Sequence, residues 1–151
     1  MQGLTAFLDR HGFAGSSCRP IRNDWSARKF YRVVRHNGDT AILIAYPDDP
    51  DIYIPPGHSF EDVVTMTPLM VRASLPVPEI LAQDDGARLI LVQDFGKKTI
   101  HDDFQNYQQS IDLAVKIFKT PCHDWPLIPY RDGHVYQAVD RFMRYTLNSA
   151  D

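Results

Sequence analysis

Residues 29–46 read KFYRVVRHNGDTAILIAY, and the fold is decided there. Lys29 to His36 alternates in character and carries Phe30, Tyr31, Val33 and Val34, the pattern of a strand with one face buried. Asn37-Gly38-Asp39 follows, a tight-turn signal because Asn and Gly tolerate the positive φ that short hairpins need. Thr40 to Tyr46 (TAILIAY) is almost wholly apolar, so this strand is expected to be buried on both faces. The stretch is therefore a β-hairpin whose second strand lies inside a sheet.

Working outward, Leu4, Phe7 and Leu8 fall at helical spacing with Gly12 as a stop, which predicts a short helix over 3–11. Residues 16–22 are a loop or a first strand ending at the Asn23-Asp24 turn. Beyond the hairpin, Pro47-Asp48-Asp49-Pro50 and Pro55-Pro56-Gly57 mark a long polar loop. Ser59 is placed to cap a helix from Phe60 to Ser74, with Glu61 and Asp62 in the first turn, where the helix dipole favours acids. Pro68 inside that pattern predicts a kink or a break. Leu75 to Leu81 reads as an extended segment, Asp84-Asp85-Gly86 as a second hairpin turn, and Arg88 to Gln93 as another buried strand. After Gly96 strand signals stop. Phe104–Lys119 and His134–Leu147 are amphipathic helical patterns, separated by Pro121, Pro126 and Pro129. The expected class is α+β: an antiparallel sheet of about five strands with an inserted helix over 1–95, then two helices in 96–151.

Bulk composition narrows the function classes. A chain of 151 residues suits one core rather than two. Sixteen basic against nineteen acidic side chains leave a net charge of -3, which argues against nucleic acid or an anionic membrane as partner. Asp9 and Arg10 interrupt any signal-peptide core, and no run approaches the ~18 apolar residues of a membrane span. Cys18 and Cys122 are expected to be inert reduced thiols of a cytoplasmic protein. The six histidines show no metal-ligand spacing, and Asp48, Asp49 and Asp51 lack the glycine and spacing of a calcium loop.

Four stretches in order resemble a known family. Asp24-Trp25-Ser26-Ala27-Arg28-Lys29-Phe30-Tyr31-Arg32-Val33 resembles a D-A-S-x-R-R-Y-x-R-V first hairpin; Val77-Pro78-Glu79-Ile80-Leu81 resembles the V-P-E-I-L lead into a fourth strand. Leu91-Val92-Gln93-Asp94-Phe95-Gly96 is similar to an L-L-x-D-L-G hinge, and Tyr130 to Leu147 to the helix that leads into a catalytic lobe. Together they resemble the kinase-like phosphotransferases that include aminoglycoside phosphotransferases and choline kinase. The bacterial kinases acting on the anomeric position of N-acetylmuramate and N-acetylglucosamine are the most similar branch.

The resemblance implies that 1–95 is the nucleotide-binding small lobe and that 96–151 holds the hinge and the first helices of a large lobe. The implied ligand is ATP with magnesium. Phosphoryl transfer needs positioned phosphates and neutralised charge more than covalent chemistry. The turn Asp24, Trp25, Ser26 and Ala27, with Arg28 and Lys29, is chemically suited to phosphates through backbone N–H groups and cations. Ile44 and Ala45 would roof an adenine ring, and Gln93, Asp94 and Phe95 would offer hinge groups to its edge. Two features depart from the pattern: TAILIAY has no third-strand lysine, and Trp25 is bulky where a small residue is expected. The family's H-x-D-x-x-x-x-N loop is also absent; His101-Asp102-Asp103, His123-Asp124 and Asp132-Gly133-His134 do not continue into it. No catalytic or metal-binding residue is therefore assigned, and these 151 residues alone are not expected to transfer phosphoryl groups.

Blander roles stand beside these. Arg28, Lys29 and Arg32 suit a solvated strand face whose stems cover aromatics, and Phe30 and Tyr31 suit simple packing. Asp94 suits a turn or cap as well as a ribose contact. Apolar positions on the two C-terminal helices, including Leu113, Ile117, Phe118, Val139 and Phe142, would be exposed without a large lobe. That leads us to expect a homodimer, or a swap of these helices. The other reading is a non-catalytic kinase-like module retained for binding or dimerisation.

Overall fold

The computed structural model describes residues 2–22, 26–49, 51–52, 54–55, 57–97 and 104–126. Its elements run α1 (Gln2–Arg10), β1 (Ser17–Ile21), β2 (Lys29–Val34), β3 (Thr40–Ala45), α2 (Phe60–Arg72), β4 (Ile80–Asp84), β5 (Leu89–Gln93) and α3 (Phe104–Lys119). The class is α+β. The five strands form one open sheet in the order β1-β2-β3-β5-β4, antiparallel at every pairing. The expected helix over 134–147 lies outside the described residues.

The hairpin at the centre follows its sequence. Lys29 pairs with Ala45 and Val34 with Thr40 across β2 and β3. Gly38 takes φ 91°, and the Arg35 amide donates to the Asp39 carbonyl to close the turn. β3 is the central strand, flanked by β2 and β5, and side chains alternate across a pleated strand. Val33, Ala41, Leu43, Leu89 and Leu91 therefore form one cluster under α1, sealed by Phe7 and Leu8. Ile44, Tyr46, Ile90 and Val92 form another on the opposite face, packed on Phe60, Val63 and Val64 of α2. Helix, sheet and helix make three layers, so TAILIAY is apolar because both of its faces are covered. β1 is exposed at all five positions and carries Pro20, which an edge strand tolerates because one side needs no ladder donor.

The helix ends explain their own placement. At the start of α2, Ser59 Oγ accepts from the Asp62 amide while the Asp62 carboxylate accepts from the Ser59 amide, a reciprocal capping box. The expected break at Pro68 does not occur; α2 runs through it to Arg72. Pro68 sits in the last two turns on an exposed face, so its missing N–H forfeits one hydrogen bond while packing upstream of it holds the helix. Both α1 and α2 then close in the same way. Phe13 donates to the Leu8 carbonyl beyond α1, and Leu75 to the Met70 carbonyl beyond α2, each across a left-handed residue. That residue is Gly12 in the first case and Ser74 (φ 56°) in the second.

Ion pairs fasten the layers at their rims. Arg10 Nη2 lies 2.6 Å from Asp84 Oδ2, tying α1 to the end of β4. Arg88 reaches Glu61 with both terminal nitrogens, at 2.8 and 3.3 Å, and its guanidinium lies over the Phe60 ring. Both pairs lie at the solvent boundary, where water screens them, so they fasten the rims only weakly.

Candidate functional site

The connection between β1 and β2 is where the structure gathers the sequence candidates. Ser26, Ala27, Arg28 and Lys29 line one cavity of about 270 Å³, with Pro20 and Ile21 of β1 on its other side. Asp24 and Trp25 belong to the same connection but lie outside the described residues. Ser26 Oγ accepts from the Arg28 amide at 3.2 Å and from Arg28 Nε at 3.1 Å, which folds the turn back on itself. The Arg28 guanidinium lies over the rings of Phe30 and Tyr46, at 5.3 and 5.9 Å from their centroids. Its Nη2 comes within 3.5 Å of His58 Nδ1. Arg28 is thus held on the α2 side of the sheet, while Lys29 is exposed at the cavity rim. Burial raises the pKa of the Tyr46 hydroxyl, a shift that the nearby Arg28 partly offsets.

Ile44 and Ala45 are successive residues of β3 and so stand on opposite faces. Ile44 packs in the α2-side cluster, whereas Ala45 packs against the α1-side one. A single planar ring cannot lie under both. Phe30 and Ile42 share the α2 side with Ile44.

At the far end of the sheet, β5 runs out through Gln93, Asp94 and Phe95. The Gln93 amide donates to the Glu79 carbonyl, and the Phe95 side chain is 60% exposed. Asp94 is the opposite case, its side chain only 3% exposed. Its Oδ1 accepts from the Gly96 amide at 2.8 Å and from Arg32 Nη2 at 3.1 Å. Arg32 Nε approaches Oδ2 to 2.7 Å as a charge contact, its N–H lacking the alignment of a hydrogen bond. Arg32 Nη2 also donates to the Gly96 carbonyl at 2.8 Å. Burial alone would raise the Asp94 pKa; the Gly96 amide, the Thr40 hydroxyl and Arg32 outweigh it and hold the carboxyl below its usual value.

Arg32 was legible only as one more strand cation, and its partner lies sixty-two positions away. Its one sequence signal is position: it is the penultimate residue of the first resembling motif, and Asp94 lies in the hinge motif. Four candidates therefore meet at one turn, three lie along the hinge, and Ala45 is set apart. Cys18 and Cys122 are both free and exposed, and partial burial raises the Cys18 pKa, which keeps little thiolate at neutral pH. Among the described residues no group of three or more His, Cys, Asp or Glu is placed to hold a metal ion. None of their helices is long and apolar enough to cross a membrane. No protein-family model matches the chain, and no curated protein matches it.

Proposed function

We propose that residues 1–95 are the nucleotide-binding small lobe of an ATP-dependent small-molecule phosphotransferase, of the aminoglycoside phosphotransferase and choline kinase type. The acceptor class we favour is a sugar. The observation that carries this reading is the β1–β2 turn, where Ser26, Ala27, Arg28 and Lys29 surround one cavity with two cations at hand. A concavity lined by two cations suits a polyphosphate. The element order supports it as well: hairpin, doubly buried strand, helix, strand, strand, hinge and helix. ATP with magnesium is the proposed ligand, and phosphoryl transfer itself would need a catalytic loop that is not in this sequence.

The test is a titration of the full chain with ATP and magnesium, followed through the Trp25 indole resonance. The chain has two tryptophans, so the Trp125 resonance serves as the internal reference. A saturable shift of Trp25 at or below millimolar ATP is the expected result. A resonance that stays put through the millimolar range would remove the nucleotide site.

A second reading, a non-catalytic module that self-associates, is favoured by the outer face of α3. Tyr107, Ile111, Val115 and Phe118 recur there at helical spacing, and all are exposed, Phe118 at 90%. We propose a second copy of this chain as the occupant of that face.

A further inference from the structure

We propose that Arg32 and Asp94 are positioning residues for the nucleotide: together they set the hinge backbone that receives the base, without touching the ligand themselves. This rests on the nucleotide reading above and assigns a task that the hinge motif did not reveal.

The carboxylate of Asp94 is fully committed. It is almost inaccessible, accepts from the Gly96 amide and from Arg32, and lies within reach of the Thr40 hydroxyl. At 3% exposure it has no oxygen accessible to a ribose hydroxyl. What it does instead is fold the chain. Through Gly96 N–H it closes a tight turn over Asp94–Gly96, and Gly96 permits that turn with φ 95°. Arg32 closes the same turn from the other side by donating to the Gly96 carbonyl. Both polar backbone groups of Gly96 are thereby occupied, and the Gln93 amide is held by Glu79. Phe95, between them, is left facing solvent. The clamp therefore selects which backbone groups of the hinge remain open to a ligand and fixes their direction.

The geometry needs both partners as they are. A planar guanidinium can address a carboxylate and a carbonyl at once, whereas a lysine ammonium offers a single point of charge. Arg32 sits on β2, four residues beyond Arg28, so the strand leaving the phosphate turn is the one that braces the hinge.

The experiment compares two probes on the full chain. Tripolyphosphate with magnesium reports on the β1–β2 turn alone, and ATP with magnesium reports on turn and hinge together. Both are read from the Trp25 indole resonance. Asp94→Asn and Arg32→Lys are expected to weaken ATP by about tenfold, while tripolyphosphate affinity stays within about twofold. If either single variant fails to fold, the double variant Arg32→Met with Asp94→Asn leaves no unpaired charge and carries the same expectation. ATP affinity unchanged in the folded variants would overturn the clamp and leave the nucleotide reading standing. Equal weakening of both probes would also overturn it, because that is what a general loss of structure produces. Wild-type protein that binds neither probe would sink the nucleotide reading, and the clamp's role with it.

Discussion

Asp94 has the same side-chain chemistry as the solvated Asp48, Asp49 and Asp51, and its surroundings set it apart. Enclosure raises the energy of its charged form, and the Gly96 amide, Thr40 and Arg32 more than reverse that. Its folded pKa is therefore lower than its unfolded value of about 3.9. A depressed carboxyl contributes stability that is present above the unfolded value and is lost as pH falls through the folded one. Glu61 and Asp84 are shifted in the same direction, by Arg88 and by the Ala87 amide respectively, so the wild-type acid limb is a sum. Comparison with Asp94→Asn isolates one contributor. Urea unfolding from pH 6 to pH 2 is expected to show a shallower acid loss in Asp94→Asn, with the difference confined to pH below about 5. Parallel curves over that range would mean that the pair does not hold the carboxylate.

The helix termini show how far local chemistry reaches. α1 and α2 end in the same hydrogen-bond pattern, and only one of them has glycine at the left-handed position. Ser74 bears the steric cost of a Cβ there, roughly 1–2 kcal/mol for a left-handed L-residue. Ser74→Gly should therefore stabilise the fold by about 0.5–1 kcal/mol, the remainder being offset by the greater freedom of glycine in the unfolded chain. Equilibrium denaturation measures this directly, and a destabilised Ser74→Gly would contradict the cap geometry. The contrast also shows what the sequence conveys. Gly12 announced its helix stop, and Ser59 announced its helix start, because caps are read from neighbours in the chain. Ser74 gave no such signal, nor did Arg88, which also takes a positive φ in its turn. Pro68 does not break α2, because the tertiary packing of Phe60, Val63 and Val64 holds the helix together. β1 stood between loop and strand, since an exposed edge strand has no apolar alternation to display. At the candidate site the turn cations were legible, while the Arg32–Asp94 pair and the opposed faces of Ile44 and Ala45 depended on strand register.

At the scale of the whole molecule, the sheet satisfies itself and α3 does not. α1 and α2 each bury their apolar stripe against one face of the sheet. α3 meets the C-terminal end of α2 mainly through polar contacts: Lys116 Nζ donates to the Ser74 carbonyl, and a cavity lined by Leu69, Arg72 and Trp125 separates the two. The apolar stripe of α3 points the other way. An exposed patch of this kind on one helix is the usual mark of an interaction surface, and the order of its residues suits a second copy. Tyr107 and Phe118 lie at opposite ends of the stripe with Ile111 and Val115 between them. An antiparallel pair would set Ile111 against the second copy's Val115, and Tyr107 against its Phe118. A two-fold axis makes each of these contacts twice. The area such a pair could bury is on the order of 1,000 Å², near the lower limit for a specific interface, so the association should be weak and reversible. Sedimentation equilibrium of the full chain is expected to show a monomer–dimer equilibrium in the micromolar range. Phe118→Glu should shift it to monomer without changing the circular dichroism, since that side chain contributes nothing to the core. A wild-type chain that stays monomeric at several hundred micromolar would exclude the second copy as the occupant of this face.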